Sequence, residues 1–276
     1  SVRHTNIVQI VDYGMVSERT PCIVMEFVDG ESLGDYLKRH RRLHWTKAAK
    51  ITSQIASGLT ALHEQGIIHR DIKPDNIIYT SAMPRHAKML DFGIARGLQA
   101  TEEKLTQSGV LIGTPAYMAP EQAIGDHANV DMQTDVFALG VLLHELLTLE
   151  HYLASKDSLL TLLYGVCNET FSPREVKPHP SQGLPPAEYI HICKHAMQKD
   201  KALRYESVAA LISAIHIAQS GQFPCECPVT FARRANNVFI DTLSNHPLVL
   251  IVGLVLVPLL VISALVIGLI GIINIA

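Results

Sequence analysis

Three short constellations along the chain hold residue types that can do chemistry. His69-Arg70-Asp71-Ile72-Lys73-Pro74-Asp75-Asn76 sets an ammonium two residues, and an amide five residues, after a carboxylate. Asp91-Phe92-Gly93 adds another carboxylate, followed by a glycine that lets the backbone turn freely. Ala119-Pro120-Glu121 comes about thirty residues later. An amide oxygen and a carboxylate are hard oxygen ligands, the kind Mg²⁺ takes while keeping several waters. Phosphoryl transfer needs little covalent help from a protein; it needs positioning and neutralised phosphate charge. Residues of these types could supply both. Any one tripeptide is weak, but three in this order and context are specific.

On these residues the chain resembles the eukaryotic-type Ser/Thr protein kinases, whose motifs are HRD…N, DFG and APE. The resemblance implies ATP and Mg²⁺ as cofactors and Ser/Thr hydroxyls of proteins as acceptors. It implies that Asp71 accepts or orients the hydroxyl proton, that Lys73 contacts the transferred phosphate, and that Asn76 and Asp91 bind Mg²⁺. Gly113-Thr114-Pro115-Ala116-Tyr117-Met118-Ala119-Pro120-Glu121 also resembles the Ser/Thr type, with Thr114 near Asp71 and Lys73. Arg70 would read a phosphate on the 91–121 loop, where Thr106 and Ser108, then Thr101, are candidate phosphosites; these hydroxyls could equally be ordinary loop composition. Met25-Glu26-Phe27-Val28 resembles the adenine-holding hinge, with Met25 behind the pocket and backbone groups of Glu26 and Val28 on the adenine edge. His69, Gly93, Asp135 and the pair Glu121–Arg204 would be structural, Asp135 tying down the catalytic loop and the pair bracing the large lobe. The family's Gly-rich loop and strand lysine find no match: residues 1–30 hold no GxGxxG and no lysine precedes Lys38. The expectation is therefore a small lobe lacking its front, and little activity from these residues alone. A non-catalytic scaffold that docks partners is the alternative.

Elements must position these groups. Ile7 to Val11, ending at Asp12-Tyr13-Gly14, reads as a strand and turn, and Cys22 to Phe27 as a second strand. Ser32 caps a short helix. Thr46 to His63 is a helix with Ile51, Ile55, Leu59 and Leu62 on one face. Ile77–Tyr79 and Ala87–Leu90 are short strands, Thr134–Leu149 a buried helix, 172–186 a Pro-rich loop, and 187–198 and 207–218 further helices. Strands followed mostly by helices predict an α+β architecture, a protein-kinase-like fold.

The 276 residues carry a net charge of −3, which excludes the broad basic field of a nucleic-acid binder. The five cysteines have neither metal nor disulfide-framework spacing and read as reduced thiols. From Thr242 to Ala276 there is no Asp, Glu, Lys or Arg, and Leu248 to Ile273 is long and apolar enough to cross a bilayer as a helix. Arg233 and Arg234 precede it, which predicts a single-pass membrane protein with its kinase part cytoplasmic. The layout resembles bacterial membrane-anchored Ser/Thr kinases. The expected organisation is a small-lobe remnant and hinge (1–30), a large lobe (31–218), a juxtamembrane linker (219–247) and a membrane helix (248–273). A homodimer for trans-phosphorylation is compatible with this layout, although 248–273 has no GxxxG.

Overall fold

The computed structural model describes residues 2–17, 20–41, 43–90, 115–170, 176, 184–222, 232 and 235. The chain divides into two compact units, Ser1–Gln219 and Ser220–Ala276. The first unit holds two small sheets and a set of helices.

Strands β1 (Ile10–Ser17) and β2 (Thr20–Met25) form an antiparallel ribbon. The strand does not end at Asp12-Tyr13-Gly14, as the turn residues predicted. Gly14 pairs with Cys22 and Met15 with Pro21, so cross-strand pairing overrides the local turn signal. Ile7 and Val8 belong elsewhere. Ile7 bridges Met89, the Val8 amide donates to the Met89 carbonyl, and Asn6 Nδ2 donates to the Ala87 carbonyl. A second sheet, β3 (Gly30–Ser32), β4 (Ile77–Thr80) and β5 (Ala87–Met89), is antiparallel in the order β3-β4-β5. β3 is three residues long, too short to show alternation in the sequence.

Helix α1 (Leu33–His40) starts where Ser32 Oγ accepts the Asp35 amide at 3.0 Å. Helix α2 (Trp45–His63) buries the predicted stripe of Ile51, Ile55, Leu59 and Leu62. A one-turn helix α3 (Pro120–Ala123) precedes the central helix α4 (Met132–Thr148). Asp131 caps α4 by accepting the Gln133 amide, and Leu149 closes it in the left-handed region. Apart from Glu145, every residue of α4 from Thr134 to Leu147 is buried, as a helix without a polar face requires. Helices α5 (Leu159–Asn168), α6 (Ala187–Ala196) and α7 (Val208–Gln219) follow; α5 was not anticipated. α4 packs against α2, α6 and α7, and this is the core of the unit. At Gly140 an added Cβ would lie 2.6 Å from the Ala196 Cβ, so glycine sets the close approach of α4 and α6. The fold is thus α+β, with the helices segregated behind small sheets. Among the described residues no helix is long and apolar enough to cross a membrane; residues 248–273 lie outside them.

Candidate active site

The loop between α2 and β4 carries the predicted acidic and basic groups, and the fold brings three of them into contact. Asp71 Oδ2 accepts from Lys73 Nζ at 3.0 Å and from Asn76 Nδ2 at 2.8 Å, while the Asp71 carbonyl accepts the same Asn76 amine at 2.9 Å. A short 3-10 turn at Pro74–Asn76 folds the amide back onto the carboxylate. With its nitrogen committed to Asp71, Asn76 has an amide oxygen that accepts no hydrogen bond among the described residues. A hard cation takes that kind of oxygen, so Asn76 fits the role of a Mg²⁺ ligand. Among the described residues no cluster of three His, Cys, Asp or Glu could hold a metal ion. Asp91, the second expected ligand, lies outside them, as do Gly93, Thr101, Thr106, Ser108 and Thr114.

The loop is clamped from below. Asp135, fully buried on α4, accepts the His69 amide on Oδ2 and the Arg70 amide on Oδ1, both at 2.9 Å. His63 Nε2 also bonds Oδ2, at 2.8 Å. Arg70 adopts φ +68°, a left-handed conformation that costs a non-glycine residue about 1 kcal/mol or more. The two carboxylate bonds hold it there, together with Gln122 Nε2, which donates to the Arg70 carbonyl at 3.0 Å. His69 is buried and joins two segments of the site, its own loop and the residue after β5. Its Nδ1 accepts the Asp71 amide at 3.3 Å, so Nε2 carries the proton and donates to the Leu90 carbonyl at 3.1 Å. Leu90 in turn donates its amide to the Asn76 carbonyl at 2.8 Å. The residue just before Asp91 is therefore tied to both His69 and Asn76.

Glu121 and Arg204 meet as the resemblance implied. Arg204 Nη1 lies 3.0 Å from Glu121 Oε1, with both residues nearly inaccessible. Thr134 Oγ1 donates to the same carboxylate oxygen, and the Gln133 carbonyl accepts from Arg204. Burial pushes the Glu121 carboxyl up, but the Arg204 guanidinium outweighs it and holds the group below the usual range.

In the 25–28 segment the Glu26 amide donates to the Gln9 carbonyl at 2.9 Å. Its carboxylate accepts the Gln9 amide at 3.0 Å and Lys88 Nζ at 2.7 Å, and the Lys88 bond lowers its pKa against desolvation. Met25 ends β2 opposite Ile10 and is 40% exposed; Val28 is half-buried.

Two site residues were missed. Tyr117 Oη donates to Glu145 Oε2, joining the 115–117 turn to α4. Burial raises the pKa of both groups. A lone glutamate inside an otherwise apolar stretch of helix was the available signal.

A protein kinase domain profile matches residues 1–214. The chain is 44% identical over 150 residues to the serine/threonine-protein kinase pkn2 of Myxococcus xanthus, covering 54% of this chain and 18% of that protein. It is 35% identical over 233 residues to a probable serine/threonine-protein kinase PknB of Bifidobacterium longum, covering 81% and 32%. Similarity to PknB of Mycobacterium tuberculosis is 32% over 231 residues, covering 83% and 35%. The chain thus spans well under half the length of these relatives. Among solved structures, a crystal structure of Rad53 1–466 with AMP-PNP shares the fold, with a TM-score of 0.61 at 24% identity over 77% of this chain and 50% of that one. With its clamped Asp71 loop and a profile match across most of its length, this chain belongs to the protein kinase family, among relatives of the bacterial Ser/Thr type.

Proposed function

We propose that this chain contributes the catalytic large lobe of an enzyme that transfers the γ-phosphoryl group of ATP to Ser/Thr hydroxyls of proteins. One observation carries the reading: Asp71 holds Lys73 and Asn76 on one carboxylate, on a loop that Asp135 pins. Asp71 would accept the hydroxyl proton as the acceptor attacks. Lys73 needs only one of its three protons for Asp71, leaving donors for the phosphoryl oxygens. Asn76 and Asp91 would hold Mg²⁺, which when bound neutralises phosphate charge. The Glu26 carbonyl and Val28 would seat the adenine beside Met25. Arg70 would read phosphate on Thr106, Ser108 or Thr101, and Thr114 would shape the hydroxyl site.

The apolar 248–273 segment, with Arg233 and Arg234 before it, favours a kinase lobe (31–218) on the cytoplasmic side of a membrane, joined by a linker (219–247) to a single span. Homodimers phosphorylating in trans fit this arrangement. Residues 1–30 hold neither a Gly-rich loop nor a lysine for the inner phosphates, so we expect weak transfer from these 276 residues alone.

The test is transfer from labelled ATP to a Ser/Thr-containing protein by the full chain. Transfer that falls about 10²–10⁴-fold in both Asp71→Asn and Asp91→Ala supports the reading. Transfer unchanged in both variants refutes it. No transfer above the Asp91→Ala control means that a Gly-rich loop and strand lysine, which residues 1–30 do not hold, are required for activity.

A further inference from the structure

Two stretches flanking the site differ in charge from the rest of this slightly acidic chain. Residues 36–63 and 76–90 together contain eight Lys and Arg and no Asp or Glu. They form the end of α1, all of α2 and the β4–β5 hairpin, and they meet over two tyrosines. Tyr36 and Tyr79 are buried edge to face, with centroids 5.0 Å apart. Lys47 Nζ lies 4.9 Å from the Tyr36 centroid and 5.4 Å from that of Tyr79. Arg85 Cζ lies 5.6 and 5.4 Å from the same two rings. Lys47 also donates to Tyr36 Oη at 2.6 Å. Two cations therefore share one aromatic floor.

Among the described residues neither Lys47 nor Arg85 has a carboxylate partner, and Arg85 makes no hydrogen bond. Three other cations of these stretches have carboxylate partners: Arg39 pairs with Glu31, Lys38 with Asp35 and Lys88 with Glu26. Two like charges held together on one floor repel. A bound anion would relieve that repulsion and use their free donors. A guanidinium fork beside an ammonium matches phosphate or carboxylate oxygens.

We propose that the Lys47–Arg85 surface is a docking site for an anionic segment of a partner protein, rich in carboxylates or phosphorylated. A polypeptide fits better than a bilayer. Both cations are half-buried and drawn down onto the rings, so their anions must be carried in to them. A flat headgroup surface meets side chains that project. Lys50, exposed on the same basic stretch but not on the rings, would add attraction at a distance only.

The experiment uses the full chain in non-ionic detergent. It measures fluorescence anisotropy of three labelled peptides of equal length: a glutamate-rich one, a phosphoserine one and a neutral serine one. Saturable binding of either anionic peptide is expected, and the tighter of the two identifies the source of the anion. Lys47→Gln with Arg85→Gln should weaken it about tenfold or more, with far-UV circular dichroism unchanged, and Lys50→Gln less than about threefold. The proposal is overturned if neither anionic peptide binds, if the neutral peptide binds equally, or if Lys50→Gln matches the double variant. It is also overturned if only phosphatidylserine-containing vesicles, compared with phosphatidylcholine alone, depend on Lys47 and Arg85.

Discussion

Replacing Asp135 by asparagine keeps the shape of the α4 anchor and removes half of its accepting capacity. The carboxylate now satisfies the His69 and Arg70 amides, each at 2.9 Å, and His63 at 2.8 Å. An amide has one accepting oxygen, so its NH₂ group must face at least one of these donors. A hydrogen bond to a carboxylate contributes about 1.5–3 kcal/mol, and a buried donor left facing another donor adds to the loss. The left-handed Arg70 backbone also loses a restraint. We expect Asp135→Asn to destabilise the unit by about 2–4 kcal/mol, a large part of a typical domain's margin. For a unit of this size that lowers the melting temperature by roughly 5–15 °C. The assay is a thermal melt by far-UV circular dichroism, paired with amide hydrogen exchange at His69 and Arg70. Asp131→Asn is the control: it removes the same charge from the same helix, but at the exposed cap, where asparagine also serves, and should cost under about 1 kcal/mol. If Asp135→Asn melts like the control and both amides keep their protection, the carboxylate does not hold the loop.

Arg204→Met leaves Glu121 buried without its cation and should cost about 3–5 kcal/mol by urea denaturation. Adding Glu121→Gln should recover part of that loss, and a double variant worse than the single would contradict it. Stability should also fall in acid in two windows. His144 and His151 are lowered to about 4, by burial and, for His144, by the neighbouring His151 as well. The unfolded chain binds these protons from about pH 6.5 and the folded chain only near 4, so stability falls as pH drops between those values, by up to about 3 kcal/mol per histidine. Glu121, depressed when folded, contributes above the unfolded carboxylate pKa and loses that contribution at lower pH still. Melts of His151→Gln against the parent should show a shallower decline from pH 6.5 to 4, and parallel curves would refute the assignment.

The Asp71, Lys73 and Asn76 group was read through its resemblance to the kinase motif, and its contacts are local because its members lie within six residues joined by one 3-10 turn. The helices followed from periodicity: the α2 stripe, the Ser32 cap and the buried α4 all arise from local rules. Asp135 and the Glu121–Arg204 pair were read through family resemblance, since nothing in their own neighbourhoods announces partners 65 and 83 residues away. Other features were decided by the tertiary structure alone. β1 runs through a turn-like triplet because β2 pairs across it, and β3 exists because β4 does. Glu26 reaches Lys88, Tyr117 reaches Glu145, and Lys47 and Arg85 settle on the same tyrosines only once α2 packs beside the β4–β5 hairpin. Local sequence fixes backbone conformation through sterics and short hydrogen bonds. Which distant charges meet depends on how buried surfaces pack, and that packing is a property of the whole chain.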